Sequence, residues 1–200
     1  MIPSNFIEYY GDQTRWFLGS VVDVNDPLKL GRVKVRVYGV HDSYDSKDAS
    51  KETEKYSISD EDLPWAQIVV PVTTGVHEGK GQYLGILKGT QVFGMFLDGK
   101  SSQLPMVIGT VPKEGDANPK ATANYPLNKV YETETGHFKE YDDSGTGRIK
   151  EYHQKGTYYE MKEDGIHIYG DTKVTIHGKS EVQVNAPIVS VSGGVVKLNS

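Results

Sequence analysis

The stretch GDTKVTIHGKSEVQVN, Gly170 to Asn185, says one thing twice: a glycine, three polar residues, then apolar, polar, apolar, polar. The pattern extends in both directions. Aligned by apolar pairs, the units are Ile166-His167-Ile168, Val174-Thr175-Ile176, Val182-Gln183-Val184, Val189-Ser190-Val191 and Val196-Lys197-Leu198, offset by eight, eight, seven and seven residues. A short fixed period with period-two alternation inside each unit predicts a β-helix or related solenoid, one strand and one turn per unit. Each unit directs two apolar side chains the same way, with the residue between them facing out.

Energetics then demand a partner. Burying two aliphatic side chains gains about 1.5–3 kcal/mol each, while ordering eight backbones costs about 1–2 kcal/mol per residue. A lone chain of five such strands cannot close around its own narrow stripe. Three copies can, as a prism whose axis is filled by Ile166, Ile168, Val174, Ile176, Val182, Val184, Val189, Val191, Val196 and Leu198, with Gly170, Gly178 and Gly194 at the corners. The expected C-terminal region is therefore an intertwined triple-stranded β-helix of a homotrimer over residues 128–200.

Upstream the language changes. Trp16 to Val24 is apolar and β-branched, Asn25-Asp26-Pro27 stops it, and Gly31-Arg32-Val33-Lys34-Val35-Arg36-Val37 alternates strictly. Val33, Val35 and Val37 fall on one face and Arg32, Lys34 and Arg36 on the other. Leu63 to Val72, Gln91 to Leu97 and Pro105 to Val111 supply three more strands. Five strands in about a hundred residues suit a small closed barrel of the OB type over residues 1–111, with a compact β-sandwich as the competing architecture. Residues 112–127 carry no β run and read as a linker. The expected fold class is all-β.

The 200 residues carry a net charge of -5, and the segment from Asp42 to Asp62 holds eight acids against three lysines, which accounts for the whole excess. That segment reads as a long exposed loop. Nothing basic enough to displace counterions from phosphate remains, which argues against nucleic acid as a partner. With no cysteine there are no disulfides, thiol nucleophiles or thiolate metal sites. MIPSNFIEYY lacks the features of a secretory signal, so synthesis in a cytoplasm is expected.

No catalytic, cofactor or metal site is assigned. Three copies of His167 or His177 have the arithmetic of an axial metal site, but alternation turns His167 outward and places His177 at a corner. Adjacent carboxylates in a strand, Asp142 with Asp143 or Glu61 with Asp62, point to opposite faces and cannot act as an acid and base pair. Trp65 stands in an apolar strand with no basic residue beside it in sequence, which favours core or inter-subunit packing over base or sugar stacking. Arg32, Lys34 and Arg36 form the one local basic stripe, expected either as a solvated barrel face or as a docking surface.

Three stretches carry a family likeness. Val130-Tyr131-Glu132-Thr133-Glu134-Thr135-Gly136-His137, Glu140-Tyr141-Asp142-Asp143-Ser144 with Arg148-Ile149, and His153-Gln154-Lys155-Gly156-Thr157-Tyr158-Tyr159-Glu160 with Asp164-Gly165 resemble the start of the C-terminal β-helix in central spikes of contractile phage tails and in VgrG spikes of type VI secretion. Leu28 to Arg36, Leu63-Pro64-Trp65-Ala66 and Gly109-Thr110-Val111 resemble the OB domain of those proteins. The resemblance implies a non-enzymatic homotrimeric needle of the virion tail baseplate. Its OB domain would dock on a tail hub protein, with Arg32, Lys34 and Arg36 as docking candidates, and its β-helix would pierce the bacterial outer membrane. T-even spikes carry a lysozyme domain between barrel and β-helix, for which the stretch near residues 112–126 has no room. Some short spikes end in a His-X-His tip that binds iron; Val195 to Ser200 holds no histidine, so the resemblance implies either a separate PAAR-like tip protein as cap or a bare tip. The other role open to such a chain is an OB adaptor and spike of a type VI or extracellular injection system, carrying a tip protein or effector.

Overall fold

The computed structural model describes residues 14–41, 58–81 and 85–196. Residues 42–57 of the acidic segment, and Lys197 and Leu198 of the last apolar pair, lie outside the described residues. The chain divides into two compact units, Met1–Ala117 and Asn118–Ser200.

The first unit is a closed five-stranded barrel in the order β1-β2-β3-β5-β4, built from β1 (Arg15–Asp23), β2 (Val33–Val37), β3 (Trp65–Ile68), β4 (Gln91–Phe96) and β5 (Pro105–Thr110). All pairings are antiparallel except β3 with β5, and β1 closes the barrel by pairing with both β2 and β4. Alternation sets the inward list: Phe17 and Val21 from β1, Val33, Val35 and Val37 from β2, Ala66 from β3, Val92 and Phe96 from β4, and Val107 from β5. Phe17 and Phe96 meet at 4.9 Å between ring centroids. Barrel closure of this kind is an OB architecture and decides against the sandwich. The strand expected from Leu63 to Val72 is shorter than its apolar run: β3 ends at Ile68, and Pro71, which has no N–H to donate to a ladder, leads into a 3-10 turn at Val72–Thr74.

The second unit opens with a short helix α1 (Pro119–Ala123), inside the stretch read as linker. Asn118 caps it, its side-chain oxygen accepting from the N–H groups of Lys120 and Ala121, and Pro119 occupies the first turn, where its missing N–H costs nothing. An antiparallel meander follows: β6 (Asn128–Glu132), β7 (Phe138–Asp142), β8 (Arg148–Tyr152), β9 (Tyr158–Lys162) and β10 (Gly165–Tyr169). Ile166-His167-Ile168, aligned in the sequence as the first repeat, is instead the last strand of this sheet, paired to β9 across the tight Glu163-Asp164 turn. Beyond Tyr169 the described chain, residues 170–196, forms no strand pairing.

Candidate functional site

The second sheet has two unlike faces, and its register assigns every residue to one of them. On the first, Glu140 of β7 lies opposite Val130 and Lys150, and Lys150 lies opposite Glu160. Glu140, Asp142 and Glu160 are buried beneath longer basic side chains, Glu140 being only 3% exposed. Arg148 reaches Glu140 at 2.8 Å and Asp142 and Glu160 at 3.9 Å, while Lys150 and Lys162 approach Glu160 at 3.7 and 3.5 Å. Ser144 donates from its hydroxyl and its N–H to Asp142; these bonds, with Asn124 and Arg148, hold that carboxyl below its ordinary pKa. Lys120 and Asn118 of the α1 turn do the same for Glu132. Stacked pairs Phe138–Tyr152 and Tyr158–Tyr169, with Lys150 4.3 Å from the Tyr158 ring centre, complete this face.

The opposite face carries exposed apolar rows with a few charges among them: Lys129 pairs with Asp143, and Lys139 bonds Glu151 at 2.7 Å. Tyr141, Ile149, Met161 and Ile166 form one cross-strand row, and Tyr159 and Ile168 continue it beside them. Ile166 and Ile168 are 63% and 62% exposed, and Tyr131, Tyr141 and Tyr159 are exposed as well. His167 points to the other, charged face, opposite Glu160, and its Nε2 lies 3.1 Å from Asp164.

The same exposure continues down the tail. Val174, Ile176, Val182, Val184, Val189, Val191 and Val196 are all at least half exposed. The glycines repeat structurally as well as in sequence. A Cβ on Gly170 would press on the Lys173 carbonyl and on Val174 Cγ2, and one on Gly178 on the Glu181 carbonyl and Val182 Cγ2, the same neighbours three and four residues ahead. Both positions therefore require a residue without a side chain.

On the barrel, the basic stripe is engaged within the chain. Arg32 pairs with Asp26 at 2.7 Å, Lys34 is buried and donates to the Glu61 carbonyl, and Arg36 bonds Asp60 and the carbonyls of His41 and Ile58. Asp26 is the centre of a clasp: besides Arg32 it accepts from the N–H groups of Leu28, Leu30 and Arg32, which together hold its carboxyl far below the usual carboxylate range. The clasp fixes a loop that presents Leu28 and Leu30, both 63% exposed. Trp65 has basic neighbours after all, because antiparallel pairing sets Lys34 directly across from it: Lys34 Nζ lies 5.1 Å and the Arg32 guanidinium 5.6 Å from its ring centre.

Asp142 and Asp143 diverge as their alternation requires, the first buried in the network and the second exposed and paired with Lys129. Asp62 bonds Ser59, while Glu61 contributes its carbonyl to Lys34. His177 is exposed, and among the described residues no three of His, Asp and Glu are grouped as a metal site. The reading of the sequence missed the outer wall of the barrel, where Trp16 stacks parallel on Phe93 at 5.2 Å beside exposed Leu18 and Ile108. Apolar residues at Trp16 and Leu18, on either side of inward Phe17, were the available signal.

Comparison with known proteins identifies a family. Residues 39–147 match the Gp5 N-terminal OB domain family, a span running from the end of β2 to the turn before β8. The chain is 38% identical over 105 residues to the pre-baseplate central spike protein Gp5 of Enterobacteria phage T4, an alignment covering 52% of this chain and 17% of that protein. It is 31% identical over 141 residues to protein Gp5 of Vibrio phage KVP40, covering 66% of this chain and 32% of the relative. The chain thus spans less than a third of the length of either relative.

Proposed function

This chain belongs to the Gp5 N-terminal OB domain family, and on that premise we propose that it is the structural central spike of a contractile tail baseplate. In this reading the barrel, residues 1–111, docks on the tail hub protein. Residues 128–200 form the trimeric spike, in which β6–β10 pair within each chain and the residues beyond Tyr169 wind with two other copies into a triple-stranded β-helix, and the contracting sheath drives that shaft through the outer membrane. The part is mechanical: the work comes from the machine, and the protein contributes stiffness. A closed prism suits the task because it leaves no lateral sheet edge and every layer is hydrogen-bonded to the next.

One observation carries the reading. The row of Ile166 and Ile168 on β10 and the valines and isoleucines from Val174 to Val196 are uncovered in a single chain, yet they are aligned with the regularity of a core. Exposed runs of this length are not stable surfaces in water; they are half of an interface. The opposite face is sealed by its own lattice of acids and bases, which is how an outer surface looks. The engagement of Arg32, Lys34 and Arg36 within the chain favours their part in holding the barrel together over hub docking. A tip protein of the PAAR type would be a further partner of the spike.

Light scattering at micromolar concentration tests the proposal: a trimer mass that survives SDS without boiling is expected, and a stable monomer would overturn it.

A further inference from the structure

We propose that the outer wall of the barrel is the seat for the Leu28–Leu30 loop of a neighbouring copy, so that three barrels close a ring of their own. The inference rests on the trimeric reading above and adds a second, separate contact to it.

The wall comprises Trp16 and Leu18 of β1, Phe93 and Met95 of β4, and Met106 and Ile108 of β5. Trp16, Met95 and Met106 lie side by side across three strands, and Leu18 lies opposite Phe93. Ser20 and Gln91 extend the face, and none of these side chains is charged. Trp16 is 60% exposed although it is stacked on Phe93. A barrel that has already filled its interior has no use for aromatic rings on the outside unless something covers them.

Area and symmetry choose the occupant. Aromatic side chains offer about 150–250 Å² each, so a wall this exposed presents on the order of 400 Å², near half of the roughly 800 Å² per partner in a free-standing interface. Such a patch does not hold a separate protein by itself. It suffices where the partner is already tethered, because a copy joined through the shaft arrives at high effective concentration. Within a threefold ring every contact between neighbours joins two different surfaces, so wall cannot meet wall. The neighbour must bring a second apolar feature of the same barrel.

The Asp26 clasp provides it. Leu28 and Leu30 stand outward on a loop held by three backbone N–H groups and the Arg32 guanidinium, so little freedom is lost when they dock. The loop follows Asp23, at the far end of β1 from Trp16, which is the separation a head-to-tail contact needs.

The absence of cysteine from the sequence makes the contact directly testable. The double variants Leu30→Cys with Phe93→Cys and Leu28→Cys with Ile108→Cys, mildly oxidised in the full chain, should run as covalent trimers on boiled non-reducing gels, while each single variant runs as a monomer. A trimer by light scattering that yields no covalent trimer from either pair overturns the ring and leaves the shaft standing. Crosslinking of Phe93→Cys to Val72→Cys in preference to the loop also overturns it, by giving the wall a different occupant. A monomer by light scattering removes the trimeric reading and the ring together.

Discussion

The barrel and the tail use the same side chains in the same alternation and reach opposite ends. Val33, Val35 and Val37 are at most 2% exposed, whereas Val174, Ile176, Val182 and Val184 are more than half exposed. The difference is closure. β2 has a bonded neighbour on each side in a sheet that curls back on itself, so its apolar face meets those of the four other strands in one chain. The octads have no such return. Alternation specifies which face is to be buried; it does not say by whom.

Charge on the tail's apolar line should break that contrast most severely. Ile176→Asp places three carboxylates at one level of the proposed axis, each costing several kcal/mol when buried unpaired. Light scattering should show monomers, with the barrel still melting cooperatively. Phe96→Ala should do the reverse, lowering barrel stability by about 3–5 kcal/mol in denaturant titration and leaving the trimer mass unchanged.

Gly178→Ala should act on the tail alone and more mildly. The added methyl meets the Glu181 carbonyl and Val182 Cγ2, and overpacking of this sort costs about 1–3 kcal/mol. The trimer should form and its SDS tolerance be lost at a lower temperature. Asp26→Asn should act on the barrel alone, because the amide keeps the shape but gives up the charge and one of the two acceptors in the clasp, and its mark should be clearest in the pH profile. A carboxyl whose pKa is depressed in the fold contributes stability above the unfolded value near 3.8, and that contribution is lost as pH falls below it. Wild-type barrel stability should therefore decline on acidification, and the variant's decline should be shallower.

How much of this was legible depended on whether the signal was local. Val33-Lys34-Val35-Arg36-Val37 announces its inner face without help, and the five barrel strands follow from similar runs. The second sheet was harder to see because its alternation sets aromatic against charged residues, as in Phe138-Lys139-Glu140-Tyr141-Asp142, and hydropathy hardly oscillates. For α1 the capping pair Asn118-Pro119 was present, but a five-residue helix leaves no amphipathic period to read. Ile166 and Ile168 were placed among the repeats because their spacing fits, and only the turn at Glu163-Asp164 assigns them to the sheet. The neighbours of Trp65 and the intrachain partners of Arg36 come from distant segments, which no reading along the chain reveals.

Gly170 and Gly178 meet the same neighbours one octad apart, which makes those two eight-residue words interchangeable. A shaft wound as proposed could be lengthened or shortened by whole words without redrawing its cross-section. Reach then becomes a quantity that inheritance adjusts by copying or deleting a phrase, so that two proteins with the same barrel differ in how far they extend.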